Sequence, residues 1–224
     1  MKKITIFKNG KGSSRIEFGL ERLEAALREA GYETVHADLP ENSADYRKHE
    51  GEKLYVSVTG VDDFLGWLEE NELLVYHTHA PRGEGFYIET CPAQLTVVCG
   101  GSDTGALYGC MELSERICRE GSFPEEITYG DAPAFKLRGP CVGLQKTKIE
   151  PPRLTYEYPI TPDRFPWFYD KSMWLKLIDM LLEMRCNVLY IWSGHPFSSL
   201  VKVADYPEAL EVSQEEYEKN REVF

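Results

Sequence analysis

No run in the 224 residues approaches the roughly 18 consecutive apolar positions of a membrane-spanning helix, so the membrane is excluded as a partner. Cations are in short supply. The 25 Lys and Arg are outnumbered by 37 Asp and Glu, giving a formal net charge of −12. A groove for nucleic acid needs a surplus of basic side chains to neutralise phosphates, so nucleic acid is excluded as well. None of the six cysteines (Cys91, Cys99, Cys110, Cys118, Cys141 and Cys186) forms a CxxC pair. That spacing argues against structural zinc and for reduced core thiols in a cytoplasmic protein. Neither a metal nor an organic cofactor is expected. The first residues, Met1-Lys2-Lys3-Ile4-Thr5-Ile6-Phe7-Lys8, have the charge of an export signal. Their apolar run stops at Lys8, far too early for one, and reads instead as a first strand.

Complete phosphate-binding fingerprints are also missing. Gly10-Lys11-Gly12-Ser13-Ser14 lies between a strand pattern and a helix pattern but lacks the GxxxxGK[ST] spacing. Gly100-Gly101-Ser102-Asp103-Thr104-Gly105 is not GxGxxG, and its Asp103 would repel a pyrophosphate.

What is present is a succession of strand and helix patterns. Ile16, Leu20, Leu23 and Leu27 recur at helical spacing, and Gly31 ends that helix. Strands are predicted over residues 33–39, over 54–58 as a half-buried alternating strand, and over 73–77. Phe64, Leu65 and Leu68 mark a short helix between the last two. Residues 85–90 and 94–99 read as a hairpin turning at Cys91-Pro92-Ala93. A helix over 104–120 follows, with Asp103 as its expected N-cap and Gly121 as its stop. Pro124, Gly130 and Pro133 have the chemistry of a linker, which places a domain boundary near residue 130.

Beyond it the pattern is β–α–β–α. A strand over 135–142 is followed by a long loop rich in Pro and aromatics over 143–169. Such a loop inside a compact domain is more often functional than idle. The helix over 171–185 places Trp174, Leu177, Ile178, Leu181 and Leu182 on one stripe. Val188-Leu189-Tyr190-Ile191-Trp192 is apolar throughout, as in a parallel strand covered on both faces. Ser213-Gln214-Glu215-Glu216 is a capping box that opens a last helix. A (β/α)₈ barrel takes on the order of 250 residues. The stretch after the linker therefore reads as the first βα units of an incomplete barrel, with a small complete α/β domain as the alternative.

Two stretches resemble glycoside hydrolases that carry a hexosaminidase-like N-terminal domain, among them β-N-acetylhexosaminidases and α-glucuronidases. Residues 84–90 together with Gly105-Ala106-Leu107-Tyr108-Gly109-Cys110-Met111-Glu112-Leu113 look like that domain's hairpin and its G-x-L-Y-G-x-x-E-L helix. Pro133-Ala134-Phe135-Lys136-Leu137-Arg138-Gly139 looks like the first barrel strand with its F-x-x-R-G motif. Asn187-Val188-Leu189-Tyr190 and Tyr206-Pro207-Glu208 fall where the second strand and its loop belong. The resemblance covers most of the chain from about residue 54 onward. Where hexosaminidases continue to a Leu-Asp pair, this chain has Gly143-Leu144-Gln145, and the insert over 146–167 is longer than in that family.

The resemblance implies an α/β chain. Residues 1–130 would form a small α+β hexosaminidase-like domain, and residues 131–224 would open a (β/α)₈ barrel cut short. It implies a carbohydrate substrate, gripped at the C-terminal ends of the barrel strands. Arg138 would hold sugar hydroxyls with its fork of donors. A buried structural ion pair is the alternative role for Arg138. From the residues themselves, Trp192 could stack on a pyranose face or simply pack the barrel, His195 could donate to a hydroxyl or cap a backbone group, and Tyr169 lies on the same face. Asp170 reads more naturally as the N-cap of the following helix. Glycoside hydrolysis needs a carboxylic acid, which these families place on a later strand. Asp205 and Glu208 do not make a convincing pair, so this chain alone is expected to be inactive. The alternatives are a non-catalytic carbohydrate-binding or scaffold protein and a nucleotide-binding α/β protein.

Overall fold

The structure is a computed structural model that describes residues 2–8, 13–40, 45, 46, 48–60, 63–71, 81–91, 94–146 and 148–223. The chain forms two compact units, Met1–Ala134 and Phe135–Phe224.

The first unit is built on a six-stranded sheet of order β2-β1-β3-β5-β4-β6. Its strands are β1 (Lys2–Lys8), β2 (Tyr32–Asp38), β3 (Glu52–Val58), β4 (Phe86–Cys91), β5 (Leu95–Gly100) and β6 (Thr128–Asp131). β2, β1, β3 and β5 run parallel, while β4 is antiparallel to both of its neighbours. The helices are α1 (Ser14–Glu29), α2 (Phe64–Glu70) and α3 (Asp103–Glu120).

Register explains the layers. Ile6 lies opposite Leu54, and Val56 opposite Val98, which in turn faces Ile88. On the other face Phe7 lies opposite Tyr55, and Tyr55 opposite Val97; this side packs on Phe64, Leu65 and Leu68 of α2. The Phe64 ring stands edge-on to Tyr55 at 4.9 Å and stacks on Trp67 at 5.4 Å. β3 is therefore buried on nearly its whole length rather than alternating as its sequence implied. Even Lys53 is taken in, its Nζ donating to the Gly51 carbonyl at 2.8 Å and lying 5.0 Å from the centre of the Tyr46 ring.

Two local readings change. The N-cap of α3 is Ser102, whose hydroxyl accepts from the Gly105 N–H at 3.3 Å, and Asp103 occupies the first turn instead. Either residue suits the start of a helix, but only Ser102 has the extended backbone of a cap. Residues 128–131 are the edge strand β6, because the unpaired side of β4 accepts a partner. Gly121 ends α3 in the left-handed conformation, φ 68°. The strand expected over 73–77, the turn at Pro92-Ala93 and the loop Gly10-Lys11-Gly12 lie outside the described residues.

The second unit pairs two short parallel strands, β7 (Cys141–Gly143) and β8 (Tyr190–Trp192). Between them runs α4 (Lys171–Glu183), and α5 (Gln214–Arg221) comes last. Both strands are shorter than their apolar patterns implied. Val142, Leu189 and Ile191 pack on a core of Leu144, Tyr158, Ile160, Phe165, Phe168 and Trp174. The long Pro-rich loop thus supplies most of that core itself. The opposite face of β8 is open, leaving Tyr190 56% and Trp192 37% exposed. Asp170 caps α4 through the N–H groups of Ser172 and Met173. The capping box of Ser213 and Glu216 is formed at α5. Among the described residues no helix is long and apolar enough to cross a membrane.

Candidate functional site

β7 and β8 point the same way, so the unit has a C-terminal strand end at Gly143 and Trp192 and an N-terminal end before Cys141 and Tyr190. The residues singled out from sequence divide between these ends. Arg138 precedes β7. Its Nε donates to the Arg185 carbonyl at 2.9 Å and its Nη1 to the Phe135 carbonyl at 2.7 Å. Its backbone is tied to Asn187, whose Oδ1 accepts the Arg138 N–H at 3.0 Å and whose own N–H donates to the Arg138 carbonyl. The next residue, Gly139, lies so close to the second strand that a Cβ there would meet the Val188 carbonyl oxygen at 1.7 Å. The Arg-Gly pair is thus a clamp between the two chain segments. Five extended residues separate Arg138 from Gly143, on the order of 16 Å.

Tyr169 is also held by structure. Its hydroxyl bonds Asn220 Oδ1 and donates to the Ile160 carbonyl at 3.3 Å. Asn220 in turn donates to the carbonyls of Ile160 and Ser199, both at 3.0 Å. Burial, with the nearby Glu216 charge, pushes the Tyr169 phenol up to about 12.

Trp192 and His195 lie at the other end. The Leu144 N–H continues the ladder to the Trp192 carbonyl at 2.8 Å. The His195 ring is exposed, edge-on to Phe197 at 5.5 Å. Its carbonyl accepts from Ser198, closing the turn after β8.

Two polar side chains that the sequence reading passed over come to the same end. Gln145 lies two residues beyond β7, and its Nε2 donates to Glu157 Oε1 at 3.4 Å. Glu157 lies in the long insert, and several contacts fix its backbone. The Lys146 N–H donates to the Tyr156 carbonyl, the Glu157 carbonyl accepts from Arg153 and Thr155, and the next residue, Tyr158, is buried. The Glu157 carboxylate lies over the turn after β8, where a Cβ on Gly194 would be 2.6 Å from its Oε1. A Cβ on Gly143 would be 3.7 Å from the Trp192 ring and 3.9 Å from Gln145 Oε1. The Trp192 ring and the Gln145 amide thus flank Gly143, and the Glu157 carboxylate, bonded by Gln145, flanks Gly194. The available signals were the length of the insert and the Gln at the place of the Leu-Asp pair.

The glycine run at residues 100–105 is filled by its own backbone. A Cβ on Gly105 would lie 2.2 Å from the Gly85 carbonyl oxygen, and one on Gly100 would lie 2.0 Å from the Ala106 nitrogen. The Gly101 N–H already donates to the Gly85 carbonyl. This leaves no cradle for a phosphate. Among the described residues no cluster of His, Cys, Asp and Glu could hold a metal ion.

No family model matches the sequence, and no curated protein does. Solved structures do. One is a GH138 enzyme targeting pectin rhamnogalacturonan II, 37% identical over 99% of this chain with a TM-score of 0.73. Its neighbours in the comparison are glycoside hydrolases. A GH115 4-O-methyl-α-glucuronidase with specificity for decorated arabinogalactans matches over 85% of the chain at 15% identity, TM-score 0.54. The GH84 protein CpGH84D matches over 99% at 12% identity, TM-score 0.54. The last two likenesses are of fold. The chain spans 28%, 25% and 37% of those three structures' own lengths.

Proposed function

We propose that this chain is the N-terminal part of a glycoside hydrolase that acts on a pectic polysaccharide. Residues 1–130 would form its hexosaminidase-like domain and residues 131–224 the first βα units of a (β/α)₈ barrel. The observation that carries this reading is the 37% identity, sustained over 99% of the chain, to an enzyme targeting rhamnogalacturonan II. The open side of β8 supports the barrel, because a barrel strand has a neighbour on each edge and a filled interior. Trp192 and His195, at the C-terminal strand ends, would face the sugar. Arg138 and Tyr169 would hold the scaffold that carries them. Among the described residues no paired carboxylates suited to acid and base roles come together at this end, so the general acid would come from a later strand. Six cysteines, none of them in a CxxC pair, suit a reducing compartment such as the cytoplasm.

The test is sugar release from rhamnogalacturonan II, measured by chromatography for the 224-residue chain and for the reading frame extended past Phe224. The extended polypeptide is expected to release a sugar, and the 224-residue chain is expected to release none. An extended polypeptide that leaves the polysaccharide intact would contradict the proposal.

A further inference from the structure

We propose that Asn220 is a positioning residue for the candidate sugar site: from inside the second unit it fixes the turn that carries His195 at the end of β8. This rests on the carbohydrate reading and deepens it by naming a residue that acts on the site without touching the substrate.

α5 is mostly charged, and its buried residues are Tyr217 and Asn220. Asn220 is 1% exposed, and an apolar side chain would bury there at no cost in desolvation. What the amide adds is hydrogen bonding. It has one acceptor oxygen and two donor hydrogens, and all are used. Oδ1 bonds the Tyr169 hydroxyl, and Nδ2 donates to the carbonyls of Ile160 and Ser199, each at 3.0 Å. Both carbonyls belong to buried, irregular backbone with no helix or strand ladder to take them. The Ile160 N–H donates to the Ser199 hydroxyl at 2.8 Å, so the insert and the turn after β8 are also bonded directly to each other. From Ser199 the constraint passes to His195. The adjoining Ser198 donates to the His195 carbonyl through its hydroxyl at 2.8 Å and its N–H at 3.1 Å. The Leu200 N–H closes the same turn on the Pro196 carbonyl at 2.7 Å. The His195 ring is exposed, so burial does little to hold it and the backbone of the turn sets its place. Any other arrangement of the turn would leave a buried carbonyl or an amide hydrogen unpaired, and the node therefore favours one.

The test is a double-mutant cycle on sugar release from rhamnogalacturonan II by the extended polypeptide, with KM and kcat measured separately for His195→Ala, Asn220→Ala and the double variant. Each single substitution is expected to raise KM about tenfold, the effect of one lost hydrogen bond to the sugar. The double variant is expected to be no worse than His195→Ala, because a residue that acts through His195 has nothing left to position once the imidazole is gone. A residue that only supports the fold would instead multiply its loss onto that of His195→Ala. Ser199→Ala removes just the hydroxyl that receives the Ile160 N–H, and is expected to raise KM about threefold with the same dependence on His195. It carries the test if Asn220→Ala fails to fold. An active polypeptide in which the losses multiply, or whose KM is unmoved by His195→Ala or by the Asn220 and Ser199 variants, would overturn the positioning role alone. A wild-type polypeptide that releases no sugar would contradict the carbohydrate reading, and the positioning role with it.

Discussion

At the residue scale, the strongest constraints come from positions without a side chain. Gly139→Ala would drive a methyl into the Val188 carbonyl, and Gly105→Ala would do the same at Gly85. Each is expected to cost roughly 1–3 kcal/mol in denaturant unfolding, since a closely approached backbone resists even one added carbon. Arg138→Ala removes two charge-assisted bonds to backbone carbonyls. It is expected to lower stability by about 2–3 kcal/mol while leaving sugar affinity unchanged. A loss of binding without a loss of stability would instead return Arg138 to the sugar site. The Arg-Gly motif was visible in sequence, but its use was not. A guanidinium can bond sugar hydroxyls or backbone carbonyls equally well, and only the fold puts the carbonyls of Phe135 and Arg185 within reach. Glu157 was hidden for the opposite reason. It lies 14 residues beyond β7 in an aperiodic insert, where no spacing rule brings it back to Gly194.

At the scale of elements, the helices were the most legible features because their caps and stripes are local. Gly121, the Ser213 box and the Asp170 cap could all be read directly. The error at α3 was a choice between adjacent caps. Ser102→Ala is accordingly expected to cost about 1 kcal/mol and Asp103→Ala only a few tenths, as measured by thermal unfolding. The caps also set a pH dependence. Hydrogen bonds from Ser172 and Met173 hold the Asp170 carboxyl below the usual carboxylate range, and those from Ser213 do the same for Glu216. Both contributions are present above the unfolded values of about 4 and are lost as pH falls through the lower folded values. Circular dichroism is expected to show α4 and α5 loosening on acidification below about pH 4, with Asp170→Asn blunting the response. Strand lengths were less legible than helices. The apolar run over 188–192 implied two covered faces, yet burial of a strand depends on neighbours that no local pattern specifies.

At the scale of the whole molecule, the first unit buries its sheet on both sides, whereas the second leaves several large apolar side chains uncovered. Phe135, Leu137, Leu175, Met184 and Tyr190 are all more than half exposed. Surfaces of that kind mark an interface. On the proposed reading these side chains are covered in a longer polypeptide, so the 224-residue chain is expected to enhance the fluorescence of an apolar dye that the extended polypeptide leaves dim. The measurement that bears most directly on the central claim is hydrogen–deuterium exchange of the chain with and without a pectic oligosaccharide. Slowed exchange is predicted over residues 143–145, around residue 157 and over residues 192–195, with none at 100–105 or around Arg138. Slowed exchange confined to the first unit, or to the Arg138 end of β7, would contradict the account.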